Sequence, residues 1–129
     1  MQRVDATPLM PNDIVGSSID IASLSFESGT LVVTLASGSD PKAATVKFED
    51  VLGFRMLDEG DLLEYWPACS RDNGWLFLIN GDGWFDLEST RPGFLHQRGG
   101  RIAEYFLATQ NGCVSVLAGS APTMDSQSP

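Results

Sequence analysis

Short stretches in which apolar residues alternate with polar ones recur along this chain, separated by turn-forming clusters. Leu31, Val33 and Leu35 alternate with Thr30, Val32 and Thr34, and Val46 and Phe48 alternate with Thr45, Lys47 and Glu49. A period of two is the signature of strands with one buried face. Ile19, Ile21, Leu24 and Phe26 precede this pattern, with a slip of phase between Ile21 and Leu24 that predicts a bulge. Ser28-Gly29 then closes a first hairpin, and Ala36–Lys42 reads as a plain loop. The apolar character shifts phase again near Asp50-Val51 before Val51, Leu52 and Phe54. Leu62–Trp66 fits either one helical turn, with Asp61 as its N-cap, or a short strand.

Pro67–Gly74 is predicted to be a loop. Trp75–Ile79 and Trp84–Leu87 flank Asn80-Gly81-Asp82-Gly83, which predicts a second tight hairpin, since these residues accept positive φ. Ser89–Gly100 is aperiodic. Ile102–Ala108 and Cys113–Ala118 form a last hairpin about Gln110-Asn111-Gly112, with Ile102 or Ala103, Tyr105, Leu107, Val114 and Val116 facing inward. About eight short strands result. The fold class is all-β and mainly antiparallel: a single-domain β-sandwich or small open barrel with room for one short helix. The division is an extended lead-in at 1–17, whose Leu9, Met10 and Ile14 can dock on the domain, a β domain at 18–119, and a flexible tail at 120–129 that frays.

With 129 residues, such a domain buries roughly two-thirds of its unfolded surface, enough to close a core without staples. Seventeen acids against eight bases leave a net charge of −9, which opposes binding to phosphate backbones and excludes nucleic acid as the expected partner. The longest apolar run, Trp75–Ile79, is far below the ~20 residues that cross a bilayer. No charged start leads into an apolar segment, so a cytoplasmic location is expected. Cys69 and Cys113 are too few for a disulfide scaffold or a zinc site; they can pair only if the fold brings them together, and otherwise read as two buried thiols. Oligomeric state stays open at this level, a dimer included.

Chemistry finds little footing. The one histidine, His96, lies in a glycine-rich loop, where it reads as solvated rather than as a base acting with Asp86 or Glu88. Asn80, Asp82, Asp86 and Glu88 bring calcium-type oxygen ligands close in sequence, but their spacing departs from the EF-hand pattern. Glu59 with Glu64 or Asp61, beside Trp66, Trp75 and Trp84, is the arrangement a glycosidase would need, yet an acidic run is usually a solvated face. No catalytic residue, metal ligand or cofactor is therefore assigned.

Charge is unevenly spread. Glu49–Glu64 holds six acids and one base, Arg55, whereas Ser89–Ala103 has no acid but contains Arg91, Arg98, Arg101 and His96. These stretches either neutralise each other or form two docking surfaces. The expected contact patch is Asp58, Glu59, Asp61, Glu64, Tyr65 and Trp66, with acids that steer a basic protein and aromatics that hold it. A small-ligand-binding barrel is the alternative, and a carboxylate-dependent hydrolase a more distant one.

The early hairpin Ile19–Leu35, the strand Thr45-Val46-Lys47-Phe48-Glu49-Asp50-Val51, the terminal hairpin Glu104–Thr109 to Val114–Leu117, and Pro122 after it carry a resemblance. In this order of elements the chain resembles small bacterial immunity proteins of polymorphic toxin systems and similar uncharacterised bacterial proteins. The resemblance implies a non-catalytic protein that masks a toxin domain. It assigns no residue a role.

Overall fold

A computed structural model describes residues 3–10, 19–38, 40–70 and 72–126. Among these are nine strands in two sheets: β1 (Asp5–Met10), β2 (Ile19–Glu27), β3 (Thr30–Ser37), β4 (Asp40–Phe48), β5 (Val51–Asp58), β6 (Leu76–Gly81), β7 (Ala103–Ala108), β8 (Gly112–Ala118) and β9 (Thr123–Ser126). One sheet has the order β1-β6-β7-β8-β5, the other β2-β3-β4-β9, and every pairing is antiparallel. The sheets face each other as an open sandwich, and among the described residues no barrel closes. No helix of the described residues is long and apolar enough to cross a membrane.

Strand alternation builds the layers. Leu31, Val33, Leu35, Val46 and Phe48 from the four-stranded sheet meet Leu76, Tyr105, Leu107, Val114 and Val116 from the other, all buried in one cluster. The opposite face of the five-stranded sheet carries Phe77, Ile79, Phe106, Ala108, Cys113 and Leu117. Two short helices and their loops cover that face: α1 (Trp66–Cys69) and α2 (Trp84–Glu88). β7 and β8 are consequently buried on both faces. Cys69 and Cys113 are both buried as thiols in this outer layer.

The first hairpin turns through Ser28 and Gly29, with φ of 51° and 83°, the doubly positive pair that matches strand twist. The phase slip in β2 is a register shift between Ile21 and Ser23. The later phase change has a topological cause. Asp50, at φ 56°, passes the chain from β4 in one sheet to β5 in the other.

Several expectations need correction. Trp84–Leu87 does not pair with Trp75–Ile79; it forms α2, and β6 lies between β1 and β7 instead. The first helical N–H groups of α2 are satisfied by side chains remote in sequence, which outweighs local turn chemistry. β4 begins at Asp40, inside the expected loop. Within the predicted loop Pro67–Gly74, Pro67 instead occupies the first turn of α1, where its missing N–H costs nothing. Leu62–Trp66 is neither a strand nor a helical turn capped by Asp61. Residues 62–65 form an irregular turn that leads into α1 at Trp66, with Tyr65 at its N-cap, and the preceding 3₁₀ turn Glu59–Asp61 is capped by Asp58.

The chain ends also differ from expectation. The lead-in supplies β1, with Val4 and Ala6 packed into the outer layer, whereas Leu9 stays exposed and Ile14 lies outside the described residues. Beyond Gly119, where fraying is expected, Thr123–Ser126 pairs with β4, and Met124 packs on the inter-sheet core.

Candidate functional site

Among the outer-face residues of β7, Glu104 is the anomaly: an acid in register with Ile79 and Leu117, only 1% exposed. Burying a carboxylate is costly unless its oxygens are bonded, and both are. The Tyr65 hydroxyl donates to Oε2 at 2.7 Å, and the Phe85 N–H donates to Oε1 at 2.8 Å. The Tyr65 oxygen in turn accepts from the Trp84 N–H at 2.9 Å and from Arg55 Nη2 at 3.3 Å. Arg55 comes from the outer face of β5, and its guanidinium carbon sits 5.1 Å from the centre of the Trp84 ring. Tyr65 stacks on Phe106 at 4.4 Å.

Gly83 makes this junction possible. A Cβ there would lie 2.7 Å from Glu104 Oε1 and 2.8 Å from Ile79 Cγ2, so the turn into α2 approaches the carboxylate as closely as backbone can.

Burial holds the Glu104 carboxyl above the ordinary glutamate range. Bonds from the Phe85 N–H, Tyr65 and the Trp84 N–H, together with the Arg55 charge, pull the other way. Desolvation, the Glu104 charge and the bond to it raise the Tyr65 phenol, against the opposing pull of Arg55 and Ser115. Desolvation by burial, followed by the Glu104 and Cys113 charges, pushes the Cys69 thiol up to about 12. These groups are held protonated or fully bonded. The network therefore ties α1, α2 and two strands together, and the residues that open outward lie at its edge.

Two hollows adjoin it. One of about 480 Å³ is lined by Arg55, Glu64, Asp82, Trp84, Asp86 and Leu87. Another of about 290 Å³ has Leu78, Ile79, Phe85, Ile102 and Ala103 on its walls and Glu104 among its lining residues.

The six residues of the expected contact patch separate into surface and interior. Asp58, Glu59 and Asp61 are exposed, with Asp58 accepting from the Gly60 N–H at 3.0 Å. Glu64 is half-buried at the larger hollow. Trp66 is half-buried, its indole N–H donating to the Glu59 carbonyl at 2.9 Å and its ring edge-on to Phe106. Tyr65 is a correction: it is fully buried and cannot touch a partner, because its hydroxyl is the centre of the internal network. Trp75, considered for a sugar platform, is fully buried between the sheets.

The basic stretch is largely spent inside the chain. Arg101 pairs with Asp50, Arg98 with Asp86, and Arg91 with Glu88. None of these pairs engages Asp58, Glu59 or Asp61. Asp86 also accepts from the Asp82 N–H at 2.6 Å. His96 rests edge-on to Phe94.

Sequence reasoning passed over Arg55, Gly83, Trp84 and Glu104 as members of one site. The readable signal was in the alternation, which puts the acid Glu104 on the same strand face as Phe106 and Ala108. The chain matches no protein-family model, no curated protein and no solved structure.

Proposed function

We propose that this protein is a non-catalytic binding module for a basic protein partner, engaged through the end of β5 and the 3₁₀ turn that follows. One observation carries the reading. Among the described residues, Asp58, Glu59 and Asp61 stay outside the arginine ion pairs, and the large exposed apolar residues Met56 (51%) and Leu63 (60%) flank them in sequence. Unneutralised acids steer an oppositely charged surface, and apolar neighbours supply the contact that holds it. The Tyr65–Glu104 network supports the same segment from beneath, so little ordering cost falls on binding. Masking a basic toxin domain in a bacterial cytoplasm is the specific form this takes, as the sequence resemblance implies.

The test is capture from native lysate with immobilised protein, followed by association kinetics with the purified partner. Charge reversal of Glu59 and Asp61 together should slow association and flatten its salt dependence; unchanged kinetics would refute the assignment.

The pocket of about 290 Å³ favours a second reading, a site for a small apolar ligand. A thermal-shift screen with small apolar compounds tests it, with shifts of the Leu78 and Ile102 methyl resonances as the required signature.

A further inference from the structure

We propose that the partner is engaged by strand addition, with an extended lysine- or arginine-bearing segment pairing along the outer edge of β5. This rests on the binding-module reading and specifies how that surface is used. β5 ends the five-stranded sheet, and among the described residues the only main-chain bond on its outer side is Val51 N–H to the Gly29 carbonyl, at its very start. An unpaired edge is a template for another strand unless something blunts it.

The other edges are blunted more than this one. β1 contains Pro8 and register irregularities on both sides of its central stretch. β9 has four residues. β2 is broken between Ile21 and Ser23. From Phe54 to Asp58, by contrast, β5 pairs with β8 without interruption.

Side chains and charge then define the occupant. Met56 of β5 and Phe26 of β2 are each about half exposed, and Phe26 packs on Phe54 of β5 with ring centres 5.3 Å apart. β5 runs directly into Asp58, Glu59 and Asp61, so an added strand with apolar and cationic residues would find both complements in line. Main-chain bonds would supply affinity and the alternating side chains specificity. A second copy of this chain fits poorly, because each copy carries a charge of −9 and an antiparallel pairing would bring Asp58 and Glu59 of each towards Glu49 and Asp50 of the other.

The probe is a short synthetic peptide of alternating lysine and valine. Its controls are the glutamate–valine analogue and the lysine–valine peptide with alternate backbone amides methylated. Fluorescence anisotropy reads affinity, and amide hydrogen exchange reads location. The expected result is binding of the lysine–valine peptide at least about tenfold tighter than either control, with slowed exchange at the amides of residues 54–58. Methionine 56 provides the protein-side check, since M56K should weaken binding while leaving the melting transition cooperative.

Equal binding of the methylated peptide would overturn strand addition and leave the acidic-surface reading standing. Protection at another edge, or no binding of the lysine–valine peptide, would also overturn it. So would sedimentation as a dimer with those amides already protected in the absence of peptide. Partner capture, described above, tests the broader reading separately.

Discussion

The Tyr65 hydroxyl donates to the Glu104 carboxylate at 2.7 Å, joining positions 39 residues apart beneath the segment that carries the exposed acids. The same oxygen accepts from the Trp84 N–H and from Arg55. Phenylalanine at this position would keep the stack on Phe106 but strip an acceptor from the start of α2 and a donor from a buried carboxylate. Y65F should cost about 1.5–3 kcal/mol in urea denaturation, the range for bonds to charged groups. A loss below half a kilocalorie would mean that the network is ornamental to stability.

Alanine at Gly83 tests the close approach itself. Its φ of −108° suits any residue, so the cost arises from the contacts of the added methyl with the held Glu104 oxygen and with Ile79. G83A should destabilise by about 1–3 kcal/mol, as overpacking does. At Gly81 the added Cβ meets only the exposed Arg98 guanidinium, 3.3 Å away, so G81A should stay within about 0.5 kcal/mol of wild type.

The raised Glu104 pKa sets a pH dependence. The folded chain holds that proton to higher pH than the unfolded chain, whose glutamates titrate near 4.5. Between the two values the native state binds more protons, so this group's contribution to stability falls as pH rises through that window. Melting temperature followed across the mildly acidic range should decline more steeply for wild type than for E104Q, in which the ionisation is absent. Parallel profiles would remove Glu104 as the source.

Removal of residues 120–129 probes the end of the chain. The truncation loses the β4–β9 ladder and the cover that Met124 gives the core. A loss of up to about 3 kcal/mol is expected, the ceiling for burying one such side chain. An unchanged unfolding midpoint would return this segment to the status of a tail.

Thiol chemistry gives a simple readout of integrity. Cys69 is buried, and its thiol is pushed up to about 12. Only the thiolate reacts, so iodoacetamide at pH 8 should leave Cys69 unmodified in the native protein and label it as denaturant opens the fold. Rapid native labelling, read by peptide mass spectrometry, would contradict this burial.

What could be read from the residues alone follows the reach of each interaction. Leu31–Leu35 and Val114–Val116 announced themselves by alternation, and Ser28-Gly29 by turn chemistry, because each signal is complete within a few positions. Trp84–Glu88 misled because Asn80-Gly81-Asp82-Gly83 satisfies the rule for a tight hairpin, while the groups that make the segment helical, Tyr65 and Glu104, lie 19 positions away on either side. Thr123–Ser126 has turn-like composition, and only β4 as a neighbour makes it a strand. For the site, Asp58, Glu59 and Asp61 were legible as surface, since a run of acids around a turn is most cheaply left in water, and all three are exposed. Tyr65 was not, since a phenol next to acids looks the same in sequence whether it faces out or in.

β7 and β8 are sheathed by a second sheet on one side and by α1, α2 and their loops on the other, with β6 and β5 along their flanks. Their amides are therefore expected to exchange with water last, through opening of the entire body. Smaller breathing motions can release α2, β1 or β9 and still leave that pair intact. Wear on this molecule therefore starts at its periphery, and its innermost hairpin is the last piece to let go.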